Sequence, residues 1–213
     1  MEARPPDPRL RVRCARPGEA ATVAFLLRVA FAEIAAQYTP EALAATLPDA
    51  ETLRRRMEEG AVWIALLGDE PVGTLSAYCR PEGLHLRSMA VHPSARGHGV
   101  GRALLGVAEC FGRCRGLTRV FLRTTPFLNA AIALYSRMGF SLRQGGERDF
   151  HGVPLFEMEK PLSASGGPGN GWPAPAVPSE QGVESSSAAC GMVSCGTAAD
   201  RAAPGARQGP RSR

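Results

Sequence analysis

The chain has one lysine (Lys160), aromatics at only 6% of its residues, and no Cys-x-x-Cys pair among its six cysteines. Each absence excludes something. Without Cys-x-x-Cys pairs there is no zinc-type ligand spacing, and Cys110 and Cys114, four apart on an expected helix, share a face without making a metal site. For Cys14, Cys79, Cys110, Cys114, Cys190 and Cys195 the expectation is buried free thiols in a reducing compartment, with no metal bound. A membrane helix needs about 20 successive apolar residues, and no run here approaches that. The N-terminus MEARPPDPRLRVR also lacks the apolar core of a signal peptide. A cytoplasmic protein with no membrane partner is expected. Few aromatics and scattered arginines leave no basic stripe of the nucleic-acid-binding kind, so no nucleic-acid partner is expected. Large aliphatic side chains become scarce after Leu162, where SASGGPGNGWPAPAVPSEQG begins. Such a composition cannot bury enough surface to offset its ordering entropy. Residues 163–213 therefore read as a disordered tail rich in Gly, Ser, Ala and Pro, and residues 8–162 as a single domain.

What is present is mildly basic. The net charge is +5, and the tail's four arginines and three acids leave the domain at 21 basic to 17 acidic residues. The dominance of arginine over lysine resembles a codon bias, although arginine suits bidentate contacts to anions.

Leu10–Cys14 alternates and reads as a strand ended by Pro17-Gly18. From Glu19 to about Ile34, Val23, Leu26, Leu27, Ala30, Phe31 and Ile34 recur at helical spacing. Thr39-Pro40-Glu41 starts a helix, and Asp49 caps another that runs through Met57 to Gly60. Val62–Leu67 and Pro71–Cys79 form a hairpin about Gly68-Asp69-Glu70, and Leu84–Val91 follows as a third strand. A helix from about Gly101 to Arg115 leads to a strand at Val120–Leu122 and a helix over Asn129–Met138. Short strands near Phe140–Arg143 and Leu155–Lys160 finish the domain. The outline order β-α-α-β-β-β-α-β-α-β-β is mixed α/β, antiparallel in its first half, with one βαβ crossover.

The chemistry concentrates in LHLRSMAVHPSARGHGVGRALL, residues 84–105. Arg96-Gly97-His98-Gly99-Val100-Gly101 lies between a strand end and a helix start, where glycine admits a ligand close to the backbone and first-turn amides attract anions. Arg96 and Arg102 add positive charge. A dinucleotide fingerprint fails, because its third glycine is replaced by Arg102 and the later strand end reads Arg123-Thr124-Thr125 with no acid. A Walker loop fails for want of its lysine. The remaining pattern, Arg/Gln-x-x-Gly-x-Gly/Ala, is met by Arg96, Gly99 and Gly101. A plain glycine-rich turn capping a helix is the other reading.

That hexapeptide resembles the coenzyme A pyrophosphate loop of the GNAT superfamily of N-acetyltransferases. SMAVHPSARGHGVGRALL looks like the family's strand-loop-helix unit, and AAIALYSRMGF like its later helix. RLRVRCARPGEAATVAFLLRVAF and PLFEMEKPL also fit, so the resemblance spans about residues 10–162. It implies a mixed, centrally splayed sheet flanked by helices, acetyl-CoA as acyl donor, direct transfer to a primary amine of a small molecule or peptide, and no metal. A homodimer is compatible with it.

By the same resemblance, Met89-Ala90-Val91 would line the pantetheine arm through backbone groups, with a strand amide polarising the thioester carbonyl. The amides from Gly97 through His98, Gly99, Val100, Gly101 and Arg102, with Arg96, would hold the pyrophosphate. Tyr135 matches the tyrosine that protonates the departing thiolate; core packing is its other reading. The family's cofactor-contacting asparagine falls at Leu128 here, one residue before Asn129, which could instead cap its helix. His98 reads as facing solvent. Regions 33–52 and 147–153 would line the acceptor pocket, with Glu33, Tyr38 and His151 as contacts. Glu33, Glu41 and His85 remain open as general base, and Arg87 and Arg123 as either carboxylate contacts or structural ion pairs. A CoA-binding sensor without transferase activity is the alternative function.

Overall fold

Residues 7–162 are described in the structure, a computed structural model; the tail expected over 163–213 lies outside them. The strands are β1 (Leu10–Cys14), β2 (Ala61–Leu67), β3 (Glu70–Arg80), β4 (Gly83–Val91), β5 (Arg119–Thr124), β6 (Ser141–Leu142), β7 (Arg148–Phe150) and β8 (Val153–Pro161). They form one sheet in the order β1-β2-β3-β4-β5-β8-β6, with β7 paired to β8. Only β4 and β5 run parallel. The crossover between them is helix α4 (Val100–Cys114).

Between β1 and β2 the chain makes α1 (Ala20–Phe31), α2 (Pro40–Thr46) and α3 (Ala50–Glu59), three helices where the outline order has two. Both expected caps start one: Thr39 Oγ1 accepts from the Ala42 amide at 3.2 Å, and Asp49 Oδ1 from the Thr52 amide at 2.7 Å. The last helix is α5 (Asn129–Arg137). Helices cover both faces of the sheet. Val100, Leu104, Leu105 and Ala108 of α4 pack with Leu75, Leu84, Leu86, Val120 and Leu122 on one face. Val23 and Leu27 of α1 and Leu53 of α3 pack with Val62 and Ile64 on the other. Burying about 25 cal/mol per Å² of apolar surface on each face stabilises the layers.

The decisive irregularity is in β4. Ser76 of β3 pairs with Arg87 and Thr74 with Ala90, so two steps on β3 answer three on β4. The extra residue is a β-bulge, with Ser88 at φ 52°, in the left-handed region. One added residue exchanges the faces of all that follow. Leu84 and Leu86 point to the α4 face before the bulge; Met89 and Val91 do so after it, while Ala90 joins the opposite core. Pairing with β5 covers only Leu84–Leu86 against Val120–Leu122 and then stops. From Arg87 to Val91 the β5-facing edge of β4 has no strand partner, so the sheet is splayed at its centre.

Two expectations need correction. β7 has no counterpart in the outline, because a three-residue strand in a polar segment shows no alternation to read. Cys14, Cys110 and Cys114 are exposed surface thiols, Cys79 is half-buried against the core, and Cys190 and Cys195 lie outside the described residues. Cys110 and Cys114 occupy the outer face of α4, whose apolar stripe lies elsewhere. Among the described residues no helix is long and apolar enough to cross a membrane.

Gly73 lets α4 approach the sheet. A Cβ there would lie 2.7 Å from Val100 Cγ1 and 3.1 Å from the Ala90 carbonyl oxygen. Gly73→Ala is expected to lower unfolding free energy by about 2 kcal/mol, read as a fall in urea midpoint at unchanged slope. A change under about 0.5 kcal/mol would mean α4 is free to shift.

Candidate functional site

Where β4 and β5 part, a slot opens with unpaired strand backbone on one side, and the chain then turns into α4. His92 starts a short 3₁₀ turn (Pro93–Ala95), and the backbone passes Gly97 at φ 83° and Gly99 at φ 81° before the helix begins. Only glycine takes those angles without strain. The first-turn amides of Val100, Gly101 and Arg102 have no partner within the helix, by helix geometry. A Cβ on Gly97 would meet nothing within 4 Å, so a ligand can reach this backbone. Val100 and Gly101 anchor the helix start in the core, whereas Arg96, Gly97 and Arg102 are exposed. His98 is half-buried, its Nδ1 3.1 Å from the Arg96 carbonyl.

Tyr135 projects from α5 toward the slot. Its hydroxyl lies 3.8 Å from Met89 Sδ on the splayed part of β4, and its ring sits 5.9 Å from that of Phe140. Burial, with a smaller effect of Tyr38, pushes this phenol up to about 12. It therefore stays protonated across the neutral range. Asn129 opens α5 as an exposed residue; the cap is Leu128, without a side-chain capping bond, so Asn129 does not serve as the cap.

Two acceptor-side residues expected from distant segments come together. Thr39 Oγ1 donates to the His151 carbonyl at 2.7 Å, pinning the β7–β8 turn beside Tyr38. Tyr38 packs edge-on against Phe127, centroids 5.0 Å apart, with its hydroxyl beside Thr125. Glu33 is elsewhere: its Oε2 pairs with Arg96 Nη1 at 2.6 Å, at the phosphate-type loop. Both partners are half exposed, so the pair contributes little to stability.

Behind the slot, on the face opposite α4, lies a cationic cluster. His85 stacks on Phe121 (centroids 4.7 Å, planes 9° apart), and its Nδ1 is 2.7 Å from the Tyr78 hydroxyl. Burial, then Arg123, Arg87 and Arg80, depresses the imidazole to about 4. Of the base candidates, His85 is thus neutral, Glu33 is engaged with Arg96, and Glu41 is exposed. Arg123 Nε meets Glu157 at 3.3 Å, which makes it structural, whereas Arg87 lies 4.9 Å over the Tyr78 ring with no carboxylate in ion-pair reach among the described residues. Sequence reasoning passed over Arg56, whose Nη1 donates to Ser88 Oγ at 3.0 Å. The signal was there: Leu53, Arg56, Met57 and Gly60 stand at helical spacing, so Arg56 shares the inward stripe.

With this geometry in place, comparison with known proteins is direct. The acetyltransferase (GNAT) family matches residues 28–140. The rat N-acetyltransferase family 8 member 2 is 33% identical over 120 residues, covering 54% of this chain and 53% of that protein. The chain spans about half the length, or less, of the curated relatives it matches first. Among solved structures, the PaiA N-acetyltransferase of Thermoplasma acidophilum in complex with coenzyme A is similar at a TM-score of 0.62 and 16% identity, covering 71% of this chain and 98% of that one. YncA of Salmonella typhimurium, determined with its cofactor acetyl-CoA, gives a TM-score of 0.57 at 18% identity, covering 76% and 99%.

The His85 environment sets an acid response. Between pH 6.5 and about 4 the unfolded chain binds a proton on this imidazole that the folded chain refuses. Stability is therefore full above pH 6.5 and falls as pH drops toward 4, by at most about 1.4 kcal/mol per pH unit. The carboxyls of Asp7 and Glu19, held down to about 2 by Arg9 and Arg13, act lower in pH. Urea melts between pH 6.5 and 4.5 should show this decline in the parent and a flatter profile in His85→Phe. Equal slopes would remove His85 as its source.

Proposed function

The chain belongs to the acetyltransferase (GNAT) family, and we propose that it transfers the acetyl group of acetyl-CoA directly to a primary amine. One observation carries this reading: the unpaired edge of β4 at Met89–Val91 is flanked by the glycine loop and faced by the Tyr135 hydroxyl. The residues suit a pantetheine thioester. An extended amide chain can add to the free strand edge as a further strand would. Open space over Gly97 and the first-turn amides of α4 suit a pyrophosphate, with Arg96 and Arg102 adding charge. The Glu33–Arg96 pair would part as Arg96 turns to the phosphate.

Acetyl-CoA supplies an acetyl group already activated as a thioester. The amine nitrogen attacks the thioester carbonyl, a C–N bond forms, and the C–S bond breaks. A β4 amide donates to the carbonyl oxygen where negative charge develops. Tyr135 donates its proton to the departing sulfur as the C–S bond breaks, and its phenolate is then reprotonated from water. The proton lost by the amine passes to water or to a group of the acceptor pocket, which Tyr38 and His151 border. Asn129, exposed at the start of α5, is a further candidate contact to the cofactor. No covalent enzyme intermediate is needed.

The test is calorimetric titration of acetyl-CoA into the full chain, then thiol release across a panel of amines. Tyr135→Phe should lower kcat by about 100-fold at unchanged acetyl-CoA affinity. An unchanged kcat would return Tyr135 to a packing role. Acetyl-CoA binding with no amine acetylated would favour the CoA-binding regulatory module, and absence of binding would overturn the assignment.

A further inference from the structure

Arg56 reaches the bulge from the last turn of α3, and Arg87 stands on β4 just before it. Both side chains are half-buried, and the Nε of each is fully buried with no hydrogen-bond partner. Neither lies within 4.0 Å of a carboxylate among the described residues. They also repel one another. Burial first, and Arg87 second, lowers the Arg56 guanidinium to about 10, while Glu59 acts on it only weakly. Among the described residues Tyr78 and Glu59 act on Arg56 in the opposite sense, each by less than Arg87 does. The surroundings of the two arginines position them nonetheless: Ser88 Oγ holds Arg56 at 3.0 Å, and the Tyr78 ring lies under Arg87 at 4.9 Å.

A buried guanidinium without an acid is costly, and the missing partner is an anion. The Nε–Nη edge is a two-donor fork that matches a carboxylate. Arg56 spends Nη1 on Ser88, which leaves its buried Nε–Nη2 edge without a partner among the described residues. The pair sits at the residues where β4 leaves β5, next to the Met89–Val91 slot. An anion held here lies beside the slot proposed for the thioester, and an amino acid carries amine and anion in one compact molecule. The same two charges disfavour a polycation, and a peptide N-terminus has no free α-carboxylate to offer.

We propose that the acceptor is a small carboxylate-bearing amine of the amino-acid class, and that Arg56 and Arg87 bind its carboxylate beside the parted strands. This rests on the acetyltransferase reading above. The experiment uses the full chain and acetyl-CoA, with free amino acids set against the matching amino-acid amides and a polyamine. Amino acids should be acetylated with KM about tenfold or more below that of their amides, the discrimination expected of a charged hydrogen-bonded pair. Arg87→Gln and Arg56→Gln should each raise the amino-acid KM about tenfold while leaving the amide KM and acetyl-CoA affinity unmoved. Arg87→Lys should recover part of the loss. Arg87→Gln should melt no lower than the parent, since a cation without a carboxylate partner is removed; a structural role predicts a lower melting temperature. If no panel amine is turned over, N-acetylated amino acids and their amides are titrated with CoA present. Preference for the acid, lost in Arg87→Gln, supports the proposal, and equal affinity overturns it. Acids and amides handled alike by a protein that binds acetyl-CoA would remove this inference alone. Failure to bind acetyl-CoA would remove the reading beneath it.

Discussion

Everything at the centre of this molecule depends on β4 and β5 pairing for only three residues, Leu84–Leu86 against Val120–Leu122. A parallel pair that stops so early leaves strand amides and carbonyls without partners, which a buried sheet does not tolerate unless something else satisfies them. The bulge at Ser88 fixes where that happens. It bends and twists β4 away from its neighbour and holds a non-glycine residue in the left-handed region. Arg56 and the Ser76–Arg87 and Thr74–Ala90 pairings brace it from both sides.

The bulge also sorts chemistry between the two faces of one strand. Because it exchanges inward and outward positions, Met89 and Val91 reach the α4 face, where Gly101, Leu134 and Tyr135 wait, while Arg87 and His85 remain on the other. Without that extra residue Met89 would face the arginines, and the Tyr135 hydroxyl would lose its neighbour on the open edge. On the proposed reading, donor and acceptor handling are separated by the thickness of a strand, with α4 and α5 on the first side and α3, Tyr38 and the β7–β8 turn on the second.

How much of this is legible in the sequence follows from the range of the interactions. The glycine loop is legible because its signal is local: Gly97 and Gly99 take angles that other residues resist, and a strand and helix flank them in the chain. The caps at Thr39 and Asp49 are legible for the same reason. Regions 33–52 and 147–153 were matched as pocket walls, but the bond joining them, Thr39 to His151, spans 112 residues and has no local trace. Glu33 shares that limit, for nothing around it announces Arg96 as its partner. The bulge is invisible in Arg-Ser-Met-Ala-Val, which reads as ordinary strand alternation. Arg56 stands in an Arg-Arg-Arg run that looks like a solvated face until its spacing from Leu53 is weighed. The cysteines misled in the opposite direction: the usual burial of thiols is a weak prior, and the outer face of α4 overrode it.

The charges around the slot bear on the one chemical role that no residue fills openly, that of general base. Two acids at the parted strands are already committed, Glu157 to Arg123 and Arg143 and Glu33 to Arg96. What remains is a positive field, and His85 records its sign. Burial together with Arg123, Arg87 and Arg80 keeps that imidazole neutral down to about pH 4. The same two causes act on any ammonium brought beside Arg87. Burial and like charge both disfavour its protonated form and lower its pKa, so the nucleophilic amine is reached without a strong base. A carboxylate on the acceptor offsets the arginines' repulsion in the bound state, and the amine nitrogen beside it is left less shielded from the remaining field. On the proposed reading, acceptor recognition and deprotonation have one electrostatic origin, beside the slot that the strand break exposes.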